Sequence, residues 1–299
     1  MQKITPTEFA SEELPLRASS LNAFMKCQGF SVFDLEEDRP VGKAAHTGTA
    51  VGRAIELYHR GEENTDALNQ VRREALTGVD GGDPFPKADW SEVEAMFNSY
   101  TDDDRNPRGI VVKQSLEEEV TLRLPAHESD PTGKDIVIPG HIDQVRFEDG
   151  VYSIWDIKSG KGYGLDMVRE YMFQQCAYTV AYKQKYPDRR VTWGGIIRTR
   201  GYTQQKRVKN PNYDPSKKKN AKGNSKTNLI PYPASSAPVF FASPFRRADI
   251  TKATEHLRRI IARVRSGEII LTPGGHCNWC HKSGFHDCYP DLEERGFSV

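Results

Sequence analysis

The sequence predicts an α/β domain. Two observations carry this. Strand-like runs rich in β-branched residues lie at 110–124, 136–158 and 191–198, and stretches of helical apolar period stand between and around them. A third concerns size. The chain has 299 residues, 37% of them hydrophobic and 28% charged, enough to bury one substantial core. We read 1–299 as a single domain.

Ser19 and Ser20 precede Leu21, Phe24 and Met25, which predicts an N-capped short helix ending at Cys27. A second helix is expected over 49–58, with Val51, Ile55 and Tyr58 on one face, and a third over 90–100. Residues 78–86 are rich in Gly, Pro and Asp and predict a loop. Residues 110–124 turn strand-like through Val111, Val112, Val120, Leu122 and Leu124. After the 136–158 segment come a helix over 167–182 and a strand over 191–198. Residues 199–232 form a long basic insertion, expected to be mobile. Ile250, Thr254, Leu257, Ile261 and Val264 make a helical stripe stopped near Gly267.

No apolar run approaches the roughly 18 residues needed to cross a bilayer. The first 17 residues include Glu8, Glu12 and Glu13 and lack the apolar stretch of a signal peptide. An intracellular, cytoplasmic protein is expected.

Net charge is +1, which decides nothing about partners; distribution matters more. Residues 198–226 hold ten Lys or Arg and one acid, Asp214. Lys206, Arg207, Lys209, Lys217, Lys218 and Lys219 are candidate phosphate contacts there, with Tyr202 and Tyr213 interleaved to stack on bases. A solvated loop is the alternative. The last helix adds Lys252, Arg258, Arg259, Arg263 and Arg265.

The most informative segment is 140–158. Two strand patterns flank Asp149-Gly150, a favoured two-residue hairpin turn. With those residues as the loop, Glu148 pairs with Val151, and five steps further on Asp143 stands opposite Asp156. Opposed residues share a face with Cβ atoms about 4.5–5.5 Å apart. Lys158, two beyond Asp156, lies on that face. Two carboxylates and one ammonium therefore converge. Carboxylates that close repel unless a cation sits between them, and Mg²⁺ or Mn²⁺ suits oxygen ligands. Such an ion polarises a phosphate and acidifies water, while Lys158 orients that water or offsets charge on the phosphate. The bland alternative is an exposed hairpin with an ordinary ion pair. Ile154, Trp155 and Ile157 weigh against it, because they suggest a buried strand.

Five cysteines are present, and Cys277, Cys280 and Cys288 fall within twelve residues, which suggests ligation rather than a disulfide framework. Spacing alone leaves Zn²⁺ open, with His276, His281 and His286 as further ligands. Cys176 reads as a small buried residue within a helix.

Ile142-Asp143 with Asp156-Ile157-Lys158 resembles the metal-binding core of PD-(D/E)xK nucleases. Gln174 and Tyr178 resemble the Q-x-x-x-Y motif of the RecB-type branch, and being four apart they share a helical face. In that branch the pair helps to place DNA and the catalytic groups. Residues 48–56 resemble the G-x-x-x-H-x-x-x-E helix, but Gly52 stands where the family has a His that is often a metal ligand. His59 is two turns on, about 10 Å away, and cannot substitute simply; nothing in the sequence requires His46 to do so. Glu56 is a further candidate near the metals. The 19–27 helix resembles the N-terminal element of iron–sulfur nucleases of this branch, the AddB-type and CRISPR-adaptation nucleases. There one N-terminal and three C-terminal cysteines bind a [4Fe–4S] cluster. The resemblance implies Cys27, Cys277, Cys280 and Cys288 as ligands, with 17–30 and 270–290 as clasp elements. The C-x₂-C-x₇-C spacing is looser than the C-x₂-C-x₅-C of that branch. It covers about residues 17–290 apart from the basic insertion.

The resemblance thus implies a restriction-endonuclease-like core: a central mixed sheet flanked by helices and closed by the cluster. It implies a metal-dependent DNA exonuclease of recombination, repair or phage DNA processing, in a bacterial or phage-infected cell. The alternative is an inactive DNA-binding or partner module, motivated by Gly52. No P-loop of the form G-x-x-x-x-G-K-[ST] occurs, so unwinding would need a helicase or other recombination partner.

Overall fold

The computed structural model describes residues 5–29, 32, 42–79, 84–106, 109–160, 171–199, 205–209, 216, 227–231, 239–242, 247–272, 288 and 292–298. In chain order these hold α1 (Pro6–Phe9), α2 (Leu21–Lys26), α3 (Lys43–Arg60), α4 (Asn64–Thr77), α5 (Trp90–Thr101), β1 (Glu118–Leu124), β2 (Ile136–Ile142), β3 (Gln144–Glu148), β4 (Val151–Lys158), α6 (Met172–Lys185), β5 (Val191–Arg198), β6 (Gln205–Lys209), β7 (Thr227–Pro231), β8 (Val239–Ala242) and α7 (Arg247–Arg265).

The expected mixed sheet is present. Four strands run in the order β3-β4-β5-β8, with β4 and β5 parallel and the other pairs antiparallel. The parallel pair needs a crossover, which α6 supplies. A separate pair, β1 with β2, joins this sheet through one residue, Asp143, between β2 and β3.

Helices cover the sheet through two apolar cores. One gathers Ile142, Val145 and Ile154 with Ala177, Tyr178, Ala181 and Tyr182 of α6 and Leu257, Ile261 and Val264 of α7. The other packs Val51, Ala54 and Ile55 of α3, Val71 of α4 and Phe97 and Tyr100 of α5 with Ile197, against which Trp155 and Ile157 rest. Period two along β4 thus sends Ile154 to one core and Trp155 and Ile157 to the other. Alternation in β1 buries Val120, Leu122 and Leu124.

α3 is two turns longer than the 49–58 pattern, starting at Lys43 and stopped by Gly61 at φ 115, a left-handed cap that favours glycine. α4 carries only small or β-branched buried residues, Ala67, Val71 and Ala75, and the sequence pattern did not announce it. The strand expected from 110 begins only at Glu118; before it come a bridge from Val111 to Arg146 and a 3₁₀ turn over Lys113–Ser115. Ser20 does not cap α2: its hydroxyl donates to the Arg17 carbonyl instead, within a 3₁₀ turn over Ala18–Ser20. Within the basic insertion, β6 and β7 pair antiparallel from Gln205↔Pro231 to Lys209↔Thr227. Lys206, Arg207 and Lys209 lie on β6; Lys217, Lys218 and Lys219 lie outside the described residues.

Arg265 locks α7 to the start of the chain. It pairs with Asp130 at 2.7 Å, both side chains fully buried, and donates to the carbonyls of Phe9, Ser11 and Lys134. Among the described residues no helix is long and apolar enough to cross a membrane.

Candidate active site

The hairpin behaves as its sequence predicts. Asp149 and Gly150 take φ 49 and 78, the positive values a two-residue turn requires. The register runs from Glu148↔Val151 to Gln144↔Trp155. Asp143 is the next residue along, but it leaves the ladder: its Oδ2 accepts the Ile157 backbone N–H at 2.7 Å. The aspartate thus turns its carboxylate across β4, beside Asp156, at the break between β2 and β3.

Asp156 is 1% exposed. Its Oδ1 accepts from Lys158 Nζ at 3.0 Å and from Gln174 Nε2 at 2.9 Å. Oδ2 lies 2.8 Å from the same ammonium but off the direction of a hydrogen bond, so among the described residues this buried oxygen has no directed donor. Gln174 also donates to the Tyr178 hydroxyl at 3.1 Å. Gln174 therefore reaches the aspartate from α6, and Tyr178, on the same face as the i, i+4 spacing predicts, shares its amide. This needs α6 close to the sheet. A Cβ on Gly140 would sit 2.8 Å from both Ala18 Cβ and Tyr178 Cε1, so glycine is required there. The Tyr171 ring lies 5.0 Å from Lys158 Nζ on the other side.

Beside this group is a cavity of about 440 Å³. Its walls include Asp143, Lys158 and Ser159 from the sheet and Gly48, Gly52, Arg53 and Glu56 from α3, together with Glu117. Sequence reasoning missed Glu117. It has φ 49, and its N–H points to the Asp143 carbonyl at 3.4 Å. It continues the β1–β2 register one step past Glu118↔Ile142, which sets it opposite Asp143. Its neighbour Glu118 faces away and accepts from Lys185 and Tyr186.

Electrostatics agree with crowding of like charge. Burial raises the Asp143 pKa well above the ordinary range, and the Asp156 charge adds to it. Burial also raises Asp156, partly offset by Lys158. Glu117 is pushed up to about 7, by lost solvation first and then by Glu56 and Asp156. Its surface opens on the cavity, so solvent there tempers the first effect while the repulsion remains. Burial disfavours the Lys158 ammonium, but Asp156 and Asp143 together outweigh this and hold its pKa above the usual value.

Glu56 is on the cavity wall, but Arg53 and Arg60 engage its two oxygens at 2.7 and 2.8 Å. Gly52 also faces the cavity, and a Cβ there would meet nothing within 4 Å. Neither histidine compensates: His59 is buried against the Tyr100 hydroxyl at 2.8 Å, and His46 Nδ1 accepts from Lys87 N–H.

Residues 16–284 match the PD-(D/E)XK nuclease superfamily. The chain belongs to this superfamily. No curated protein matches it. Members are generally hydrolytic nucleases acting on DNA and usually use Mg²⁺ or Mn²⁺. Among the described residues no three of His, Cys, Asp and Glu are gathered closely enough to hold a metal. The donor set still fits Mg²⁺, which binds through one or two carboxylates and keeps water and phosphate for its remaining positions. The undirected Asp156 Oδ2 and the mutual repulsion of Asp143, Asp156 and Glu117 are what such a cation would relieve.

The cysteines are only partly visible. Cys27 caps the C-terminus of α2 and is buried; Cys288 packs on the core that holds Phe24 and Leu292. Cys277 and Cys280 lie outside the described residues. The terminal segments do meet: Gln28 Oε1 accepts the Ile270 N–H at 3.0 Å, and a Cβ on Gly29 would strike Leu271. Cys176 is buried and its thiol pushed up to about 12 by that burial, an inert core residue as expected.

Proposed function

We propose that this chain is a Mg²⁺- or Mn²⁺-dependent deoxyribonuclease that degrades DNA from an end, in recombination, repair or phage DNA processing. The observation that carries the reading is that Asp143 and Lys158 line one cavity, with Asp156 buried against the Lys158 ammonium and held by Gln174.

Asp143 and Asp156 would hold the metal; Glu117 stands on the same cavity wall, while the Glu56 candidate is engaged by Arg53 and Arg60. The bound ion supplies Lewis acidity toward a phosphodiester oxygen. Lys158 remains an ammonium, so it acts as a donor rather than a base: Nζ orients the attacking water or offsets charge on the phosphate. Gln174 and Tyr178 fix the carboxylate and place the substrate. Lys206, Arg207, Lys209, Lys217, Lys218 and Lys219 would track the DNA backbone. Cys27, Cys277, Cys280 and Cys288 would bind a [4Fe–4S] cluster, with Zn²⁺ as the competing occupant. The meeting of Gln28 with Ile270 supports a closure of the two ends there. A helicase or recombination protein is the expected partner.

The open face of Gly52 favours one second reading, a DNA-binding module that does not cut. DNA labelled at one end, single- or double-stranded, separates the two when incubated with Mg²⁺, Mn²⁺ or EDTA. Metal-dependent release of short labelled products supports the exonuclease. Binding without cleavage under every metal supports the module.

A further inference from the structure

Asn22 of α2 reaches the start of α6. Asn22 is 9% exposed, and its Oδ1 accepts from the backbone N–H of Phe173 at 3.1 Å and of Gln174 at 3.4 Å. These are N–H groups of the first turn of α6, which the helix cannot satisfy itself. Tyr171, at the cap position, makes no side-chain cap bond. The cap therefore comes from a residue 151 positions away. Gln174, which Asn22 holds by its backbone, is the same residue whose side chain holds Asp156 Oδ1 and the Tyr178 hydroxyl. The C-terminal end of α2 is tied down as well. Gln28, buried just beyond α2, donates to the Phe24 carbonyl and accepts from Ile270 of the C-terminal segment.

We propose that Asn22 is a positioning residue for the Asp156–Lys158 site: its Oδ1 sets the first turn of α6 and through it the Gln174 amide on Asp156. This rests on the nuclease reading of that site. Asn22 touches no substrate; it acts through Gln174. Among the described residues its buried Nδ2 has no hydrogen-bond partner, so the acceptor oxygen is the part of the amide in use. The inference extends the role of the N-terminal helix beyond carrying Cys27.

The test compares wild type with Asn22→Ala, which removes the acceptor, and Asn22→Asp, which keeps an oxygen in its place. Small displacements of aligned groups cost up to about a hundredfold in rate. Asn22→Ala is expected to lower kcat on DNA by about 10- to 100-fold with KM within about twofold, and to weaken Mn²⁺ binding followed by electron paramagnetic resonance. Asn22→Asp should restore both. A merely structural cap would lower the melting temperature of Asn22→Ala but leave kcat and Mn²⁺ affinity unchanged in the folded protein; that result overturns the proposal. If Asn22→Ala does not fold, Asn22→Thr, with its shorter acceptor, decides: intermediate kcat supports the proposal, and wild-type kcat overturns it. If wild type itself cuts no DNA, the nuclease reading fails separately. The Mn²⁺ affinities of the same variants then decide the role of Asn22, and equal affinities overturn it.

Discussion

The side-chain amide of Gln174 donates to Oδ1 of Asp156 at 2.9 Å, across 18 positions of sequence, and shares that oxygen with Lys158. Without Gln174 that oxygen keeps only Lys158 as donor, and a hydrogen bond to a charged group contributes about 1.5–3 kcal/mol. Gln174→Leu is expected to lower stability by that order without metal, measured by urea unfolding. Mn²⁺ should narrow the gap between variant and wild type, because the ion supplies a new partner to Asp156.

Glu117 gives the pH dependence its sign. Its folded-state pKa is raised from the ordinary 4.5 toward about 7, so the folded protein binds this proton more tightly than the unfolded chain. The stability it contributes is present below pH 4.5 and is lost as pH rises through 7. Asp143 and Asp156, also raised, act in the same direction. Melting temperatures of metal-free protein should therefore fall between pH 5 and 8, more steeply in wild type than in Glu117→Gln. Identical slopes would remove Glu117 from the carboxylate cluster. Added Mg²⁺ should stabilise more at the upper end, where the carboxylates are charged.

Gly52 lies inside α3 with open space at its missing Cβ. Glycine in a helix interior costs about 0.8–1.0 kcal/mol relative to alanine. Gly52→Ala should raise stability by roughly that amount, read as a higher denaturant midpoint at unchanged slope. A destabilised variant would mean that the cavity wall is closed where the structure leaves it open.

The proposed cysteine clasp makes a visible prediction. Anaerobically purified protein is expected to be brown, with broad absorbance near 400 nm, and Cys280→Ala to lose both colour and stability. A link from Cys27 to Cys277 closes a loop of about 250 residues, for which chain entropy sets an upper figure of about 5 kcal/mol. Colourless protein with stoichiometric zinc would assign the site to Zn²⁺.

What the sequence revealed depended on how short the reach was. Asp143, Asp156 and Lys158 were legible because a two-residue turn and a period of two determine the hairpin from Glu148↔Val151 to Gln144↔Trp155. Gln174 and Tyr178 were legible because four residues make one helical turn. Glu117 was not. It meets Asp143 through the β1–β2 pairing, and residues 125–135 between those strands are too long a connection to set a register. Its positive φ leaves no mark in composition. Asn22 was hidden for the same reason, since its partners are 151 and 152 positions away. α4 escaped because Ala67, Val71 and Ala75 make a weak stripe, and the β6–β7 pair because lysine-rich sequence masks strand propensity.

The most direct test of the account is Lys158→Ala, assayed for DNA cleavage and for DNA and Mn²⁺ binding on one preparation. The ammonium is predicted to act on the reacting phosphate or water and not to hold the fold's metal. Cleavage should fall by about 100-fold or more, while DNA and Mn²⁺ still bind. Cleavage at the wild-type rate would contradict the assignment of Asp143, Asp156 and Lys158 as the active site.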